Sequence, residues 1–97
     1  MDYKIDWQDD AIEDLENIRE YLEQFDFDVA DKILEDIVNK THKLTMFPNR
    51  CPKIDEDTDI RRLIVRDYYV FYFVVEENKI VRILHVFHHL KNTKILM

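Results

Sequence analysis

Tyr68-Tyr69-Val70-Phe71-Tyr72-Phe73-Val74-Val75 is the longest unbroken apolar run in the chain. Eight β-branched and aromatic residues in a row make a poor helix and a good strand with both faces apolar. Arg66-Asp67 precedes the run and Glu76-Glu77-Asn78-Lys79 follows it, two spacers of hairpin length. Beyond each spacer lies another strand-like stretch, residues 60–65 on one side and 80–87 on the other. The second half of the chain therefore reads as three consecutive antiparallel strands. There is no glycine anywhere, so Asp67 and Asn78 are the expected left-handed turn residues.

The half that precedes these strands has a different period. Residues 3–7 alternate apolar and polar side chains and read as a short strand. Ala11, Leu15, Ile18, Leu22 and Phe25 then recur every three or four positions, an apolar helical stripe opened by Asp9 and Asp10. Phe25-Asp26-Phe27-Asp28 interrupts it, with Asp26 or Asp28 placed to cap a second helix. That helix carries Ala30, Ile33, Leu34, Ile37, Val38, Thr41 and Leu44 up to Phe47-Pro48. Residues 48–59, with two prolines and four acids, form an irregular connection. The order β-α-α-β-β-β predicts an α+β domain over residues 1–97, a helical hairpin packed on a small, largely antiparallel sheet.

Composition narrows the class. The 97 residues are 46% hydrophobic and 36% charged, a globular mixture in which long disorder has no place. An eight-residue apolar run is far short of the roughly 20 needed to span a bilayer, and the acidic, alternating N-terminus is wrong for a signal peptide. A lone Cys51 makes no internal disulfide, so a cytoplasmic domain without a membrane partner is expected. Residues 1–36 hold fourteen Asp/Glu against three Lys/Arg, a balance of −11, while residues 37–97 hold eleven Lys/Arg against seven acids, a balance of +4. Nucleic-acid contacts need local cations, so any such role belongs to the second part.

Candidate chemistry is sparse. Without glycine there is no phosphate-cradling loop. His85, His88 and His89 fall near the end of the last strand; alternation sends His85 and His88 to opposite faces, a poor spacing for a shared metal, so no metal and no cofactor are expected. A histidine there can still serve as acid or base. Arg61, Arg62 and Arg66, with Lys91 and Lys94 near the chain end, form the basic set: an anion-binding surface or a charged, protected sheet edge. Tyr69, Phe71 and Phe73 share one face of their strand. If the helices cover the opposite face, these rings form an exposed partner strip, unless Ile95-Leu96-Met97 or the 48–59 connection covers it. Cys51, with Arg50 and Lys53 nearby and no base in view, reads as structural.

Taken in order, the elements and their residues resemble the RelE/ParE superfamily of type II toxin–antitoxin toxins, nearer the ParE-like branch. The resemblance runs over nearly the whole chain: Tyr3-x-Ile5-x-Trp7, Ala11-x-x-Asp14-Leu15-x-x-Ile18-x-x-Tyr21-Leu22, Ala30, Leu44-x-x-Phe47-Pro48, Ile60-Arg61-Arg62-Leu63, Tyr68-Tyr69-Val70-Phe71-Tyr72 and Val81-x-Ile83-Leu84-x-Val86-x-His88. It implies a toxin held inactive by a co-expressed antitoxin protein, with Arg66, Tyr69, Phe71 and Phe73 as the antitoxin-binding set. Some superfamily members poison DNA gyrase; others cleave mRNA on the ribosome. In a nuclease, Arg61, Arg62, His88, His89 and Lys91 would supply the cations and the acid–base pair. Tyr69 stands where the family usually carries arginine, the tail reads His89-Leu90-Lys91-Asn92, and the chain is acidic. These departures favour a gyrase inhibitor over a ribosome-dependent endoribonuclease, with a non-toxic antitoxin-binding member as the third reading.

Overall fold

The computed structural model describes residues 2–90. Its elements are β1 (Lys4–Trp7), α1 (Asp9–Glu23), α2 (Phe27–His42), β2 (Arg61–Val65), β3 (Tyr68–Val75) and β4 (Ile80–His88), with single 3₁₀ turns at Lys43–Thr45 and Pro48–Arg50. The four strands form one sheet in the order β1-β4-β3-β2; β2-β3-β4 is an antiparallel meander, and β1 joins β4 in parallel. The helical hairpin lies on one face. Its apolar stripe, with Ala11 and Ile37 fully buried, closes together with Leu44 of the first 3₁₀ turn over Val70, Tyr72, Val81, Ile83 and Val86. Packing, more than helix propensity, holds helices of this length.

The helix ends differ from the expectation in detail. Gln8 occupies the α1 N-cap without a side-chain cap, and Asp9 and Asp10 lie inside the first turn, where their charge suits the helix dipole. Asp26 does cap α2: its Oδ1 accepts from the Asp28 and Val29 amides at 2.8 and 3.2 Å. Phe25 lies beyond the end of α1 and is 71% exposed, so the apolar stripe stops at Leu22. The second helix ends at His42, before the expected Phe47-Pro48, and Leu44 reaches the core from the 3₁₀ turn.

The left-handed residues are Phe47, Arg66 and Lys79, with φ of 56°, 53° and 55°, and not Asp67 and Asn78. Each hairpin shifts the positive φ by one residue, and long cations take it because their side chains find partners. Arg66 Nε donates to Asp36 Oδ2 on α2 at 2.6 Å, and Lys79 lies over the Tyr3 ring beside Glu76. Asp67 instead offers its carbonyl to the His89 amide.

A bulge breaks the alternation of β4. Phe71 pairs with His85 and Tyr72 with Ile83, leaving Leu84 as the extra residue. Strict alternation would turn Val86 away from the face that Val81 and Ile83 occupy; the bulge returns it to the core. β1 pairs with β4 only as far as Ile83. Past that point the Val86 amide donates to Asp14 Oδ2 of α1 at 2.9 Å, a carboxylate standing in for the missing strand.

Candidate functional site

The outer face of the sheet, away from the helices, carries Arg62 from β2, Tyr69, Phe71 and Phe73 from β3, and Phe87 from β4. The rings form a chain: Tyr69 to Phe71 at 6.0 Å, Phe71 to Phe87 at 5.9 Å, and Phe87 stacked on His85 at 4.9 Å. The strip is not bare. Phe71 and Phe87 are 4% and 8% exposed, while Tyr69 and Phe73 are half-buried. Of the two alternatives, an open or a covered strip, Phe71 and Phe87 follow the second; Ile95-Leu96-Met97, one expected cover, lies outside the described residues.

At the end of this face the basic and histidine side chains gather. The Arg62 guanidinium lies over the Tyr69 ring at 4.6 Å, and the His89 ring is 6.1 Å from the same tyrosine. His89 Nδ1 donates to the Asp67 carbonyl at 3.0 Å, so in the neutral ring Nε2 is the nitrogen left to accept. His88 has the opposite tautomer, because its Nδ1 accepts from the Leu90 amide at 3.2 Å. The two rings stack at 5.1 Å, but His88 turns to the helix side against Tyr68. There it borders a groove of about 450 Å3 between the helical hairpin and the β2–β3 turn, with Ile18, Leu22, Ile33, Arg66 and Tyr68. Burial and the neighbouring Asp67 raise the Tyr68 hydroxyl above its ordinary pKa.

Arg61 is not part of either cluster. It pairs with Tyr72, four residues of β3 away from the Tyr68 level of His88, about 13 Å at about 3.3 Å per residue. Its guanidinium donates to the Cys51 and Asn49 carbonyls at 2.6 and 3.1 Å, clamping the connection before β2. The Tyr72 hydroxyl donates to the Pro48 carbonyl at 2.6 Å in the same place. Burial, with the Cys51 thiol as a lesser influence, drives the Tyr72 pKa upward, so this hydroxyl stays a donor. Lys91 lies outside the described residues. The described nuclease candidates thus divide: Arg62 and His89 share the outer rim, His88 borders the groove, and Arg61 holds a loop.

Residues 5–93 match the family model described as ParE toxin of type II toxin-antitoxin system, parDE. The chain belongs to the ParE toxin family. Solved structures share its fold. The chromosomal ParDE system from P. aeruginosa superimposes with a TM-score of 0.76 at 22% identity, over 89% of this chain and 95% of that one. The RelBE2 toxin–antitoxin complex from Mycobacterium tuberculosis gives 0.71 at 22% identity, over 91% and 92%. A double mutant of the E. coli toxin RelE in the free state gives 0.72 at 16% identity, over 99% and 92%. No curated protein matches the sequence.

The ParE-family fold also places one pair that local pattern could not reveal. His85 Nδ1 donates to Asp14 Oδ2 at 3.0 Å across 71 positions, so the same carboxylate oxygen holds both the bulge and its histidine. In the sequence Asp14 reads as one of the acids, with Glu13, Glu16, Glu20 and Glu23, mostly on the solvent side of the helix, and nothing local marks a partner so far along the chain. Among the described residues, no group of three or more His, Cys, Asp or Glu could hold a metal ion, and no helix is long and apolar enough to cross a membrane.

Proposed function

We propose that this ParE-family toxin is neutralised by a cognate antitoxin protein and acts on DNA gyrase by binding it, without cutting RNA. The observation that carries this reading is the engagement of Arg61. Cleavage through a 2′-OH needs a base, an acid and cations gathered round one phosphate. Here one of the two strand arginines is committed to backbone carbonyls at the far end of the sheet. Tyr69, at the position where the family usually has arginine, stacks beneath Arg62 and adds no charge. The antitoxin set divides as well: Tyr69, Phe71 and Phe73 lie on the outer face, and Arg66 lies at the groove beside Asp36. An extended antitoxin segment reaching from the outer face round the β2–β3 turn would touch both.

The deciding experiment adds antitoxin-free protein to programmed ribosomes and, separately, to a gyrase supercoiling assay. Inhibition of supercoiling with intact mRNA is the expected outcome, and cleavage in the A site overturns it. A nuclease reading is the runner-up because Arg62, Tyr69 and the acceptor Nε2 of His89 are contiguous. Under that reading, Arg62→Ala and His89→Ala would abolish cleavage at unchanged fold. A protein inert in both assays and harmless on overexpression would be the non-toxic, antitoxin-binding member. The antitoxin itself is expected from a small reading frame abutting this gene.

A further inference from the structure

The tip of the helical hairpin displays apolar surface that the fold does not use. Phe25 and Phe27, 71% and 67% exposed, flank Asp26, and Val29 continues the patch on the first turn of α2. Phe25 lies edge-on to Tyr21 at 5.4 Å. The backbone that carries these rings is fixed. The Phe25 and Asp26 amides donate to the Leu22 carbonyl at 3.0 and 3.1 Å, and Asp26 caps α2 with its side chain. Rings on a rigid turn lose little conformational freedom when a partner covers them.

The surroundings specify the partner. Residues 19–31 hold five Asp/Glu and one basic residue, Arg19. That arginine is already paired with Asp31 at 2.7 Å and Glu23 at 3.6 Å. An apolar centre within a charged rim is the anatomy of a protein–protein contact, and the rim's sign sets which partner fits. Phosphate backbones would be repelled. We propose that the hairpin tip is the surface with which this toxin grips its target protein, and that the target offers an apolar pocket ringed by lysine and arginine. The proposal rests on the gyrase reading above and locates the contact on the helical layer, next to the Tyr21 and Leu22 end of the groove that Arg66 lines and away from the outer sheet face.

The test uses the full chain, freed of antitoxin, with purified gyrase as the probe. Two variants are compared with the wild type, Phe25→Ser/Phe27→Ser and Glu20→Lys, both at exposed positions. The expected result is wild-type binding that weakens with salt. The double serine variant binds about tenfold more weakly or worse, and Glu20→Lys slows association. Both should keep the wild-type circular dichroism and melting temperature and still bind the antitoxin encoded beside the toxin. If the wild type inhibits gyrase and both variants inhibit it equally, the tip is not the contact and the gyrase reading stands. If the variants lose antitoxin binding or a wild-type self-association instead, the occupant named here is wrong. If the wild type leaves gyrase untouched, the gyrase reading fails and this assignment with it.

Discussion

β3 presents nearly the same chemistry to its two sides, with Tyr68, Val70 and Tyr72 towards the helices and Tyr69, Phe71 and Phe73 away from them. Their fates differ. The inner three are buried, and the Tyr72 hydroxyl has a carbonyl partner in Pro48. On the outer side Phe71 is buried, but Tyr69 and Phe73 keep partial access to solvent and to Arg62 and His89. The inner face owes its role to the hairpin that covers it, and the outer face is the one proposed above for the antitoxin. The comparison predicts that stability and function separate by side-chain parity along one strand. Truncating Tyr72→Ala should destabilise by about 3–5 kcal/mol, the cost of emptying a filled core site. Phe73→Ala, half-buried on the other side, should cost about 1 kcal/mol yet weaken antitoxin binding. Chemical denaturation and antitoxin titration of the pair check this, and equal losses of stability would erase the distinction between the faces.

A second substitution probes the join between hairpin and sheet. Asp14→Ala leaves the Val86 amide, on a 2% exposed residue, without an acceptor where β4 has no strand beside it. The expected loss is about 1–3 kcal/mol, with faster hydrogen exchange at Val86. Asp14→Asn keeps an oxygen there and should recover much of the loss. An exchange rate at Val86 unchanged in Asp14→Ala would show that the edge is sealed some other way.

How much of this was legible beforehand follows from range. The strands, the helical hairpin and the Asp26 cap depend on neighbours within a few positions, and the local pattern reveals them. The fate of each face of β3 depends on which side the hairpin takes, and alternation with aromatics on both sides carries no such information. The β4 bulge is invisible for the same reason: Ile83 and Val86 share a face only because Leu84 is extra against β3. Arg61 and Arg62 look alike in sequence, yet parity sends one to the Cys51 and Asn49 carbonyls and the other onto Tyr69. The positive φ at Arg66, in place of Asp67, depends on Asp36, thirty positions away.

The third test sets those two arginines against each other. Arg61→Met removes two hydrogen bonds from a charged donor to backbone carbonyls, one of them partly buried, and should cost about 1–2 kcal/mol while loosening residues 48–51. Arg62→Met gives up a cation–π contact worth about 0.5–1 kcal/mol, so its effect on melting should be smaller and its effect on partner binding larger. A larger thermal loss in Arg62→Met would reverse the roles assigned to them.

The smallest effect contrasts a buried fastening with an exposed one on the same loop. Tyr72 holds Pro48 from inside; outside, Glu76 accepts from the Tyr3 hydroxyl at 2.6 Å and from Asn49 Nδ2 at 3.3 Å. These bonds, Tyr3 first, hold the Glu76 carboxyl below its ordinary pKa of 4.5. A carboxylate lowered in the folded state stabilises above its unfolded pKa, and the contribution disappears as pH falls through the folded value. Wild type and Glu76→Gln should therefore differ slightly but steadily in melting temperature near neutral pH. The gap should close as the pH is taken below 4.5, and raised salt should not remove the Tyr3 share of it, because that donor is neutral. Tyr3→Phe should shrink the same gap without touching the Tyr72 fastening, whose hydroxyl keeps its proton throughout this range. A gap that persists unchanged into acid would mean that the Glu76 carboxylate contributes nothing through its charge.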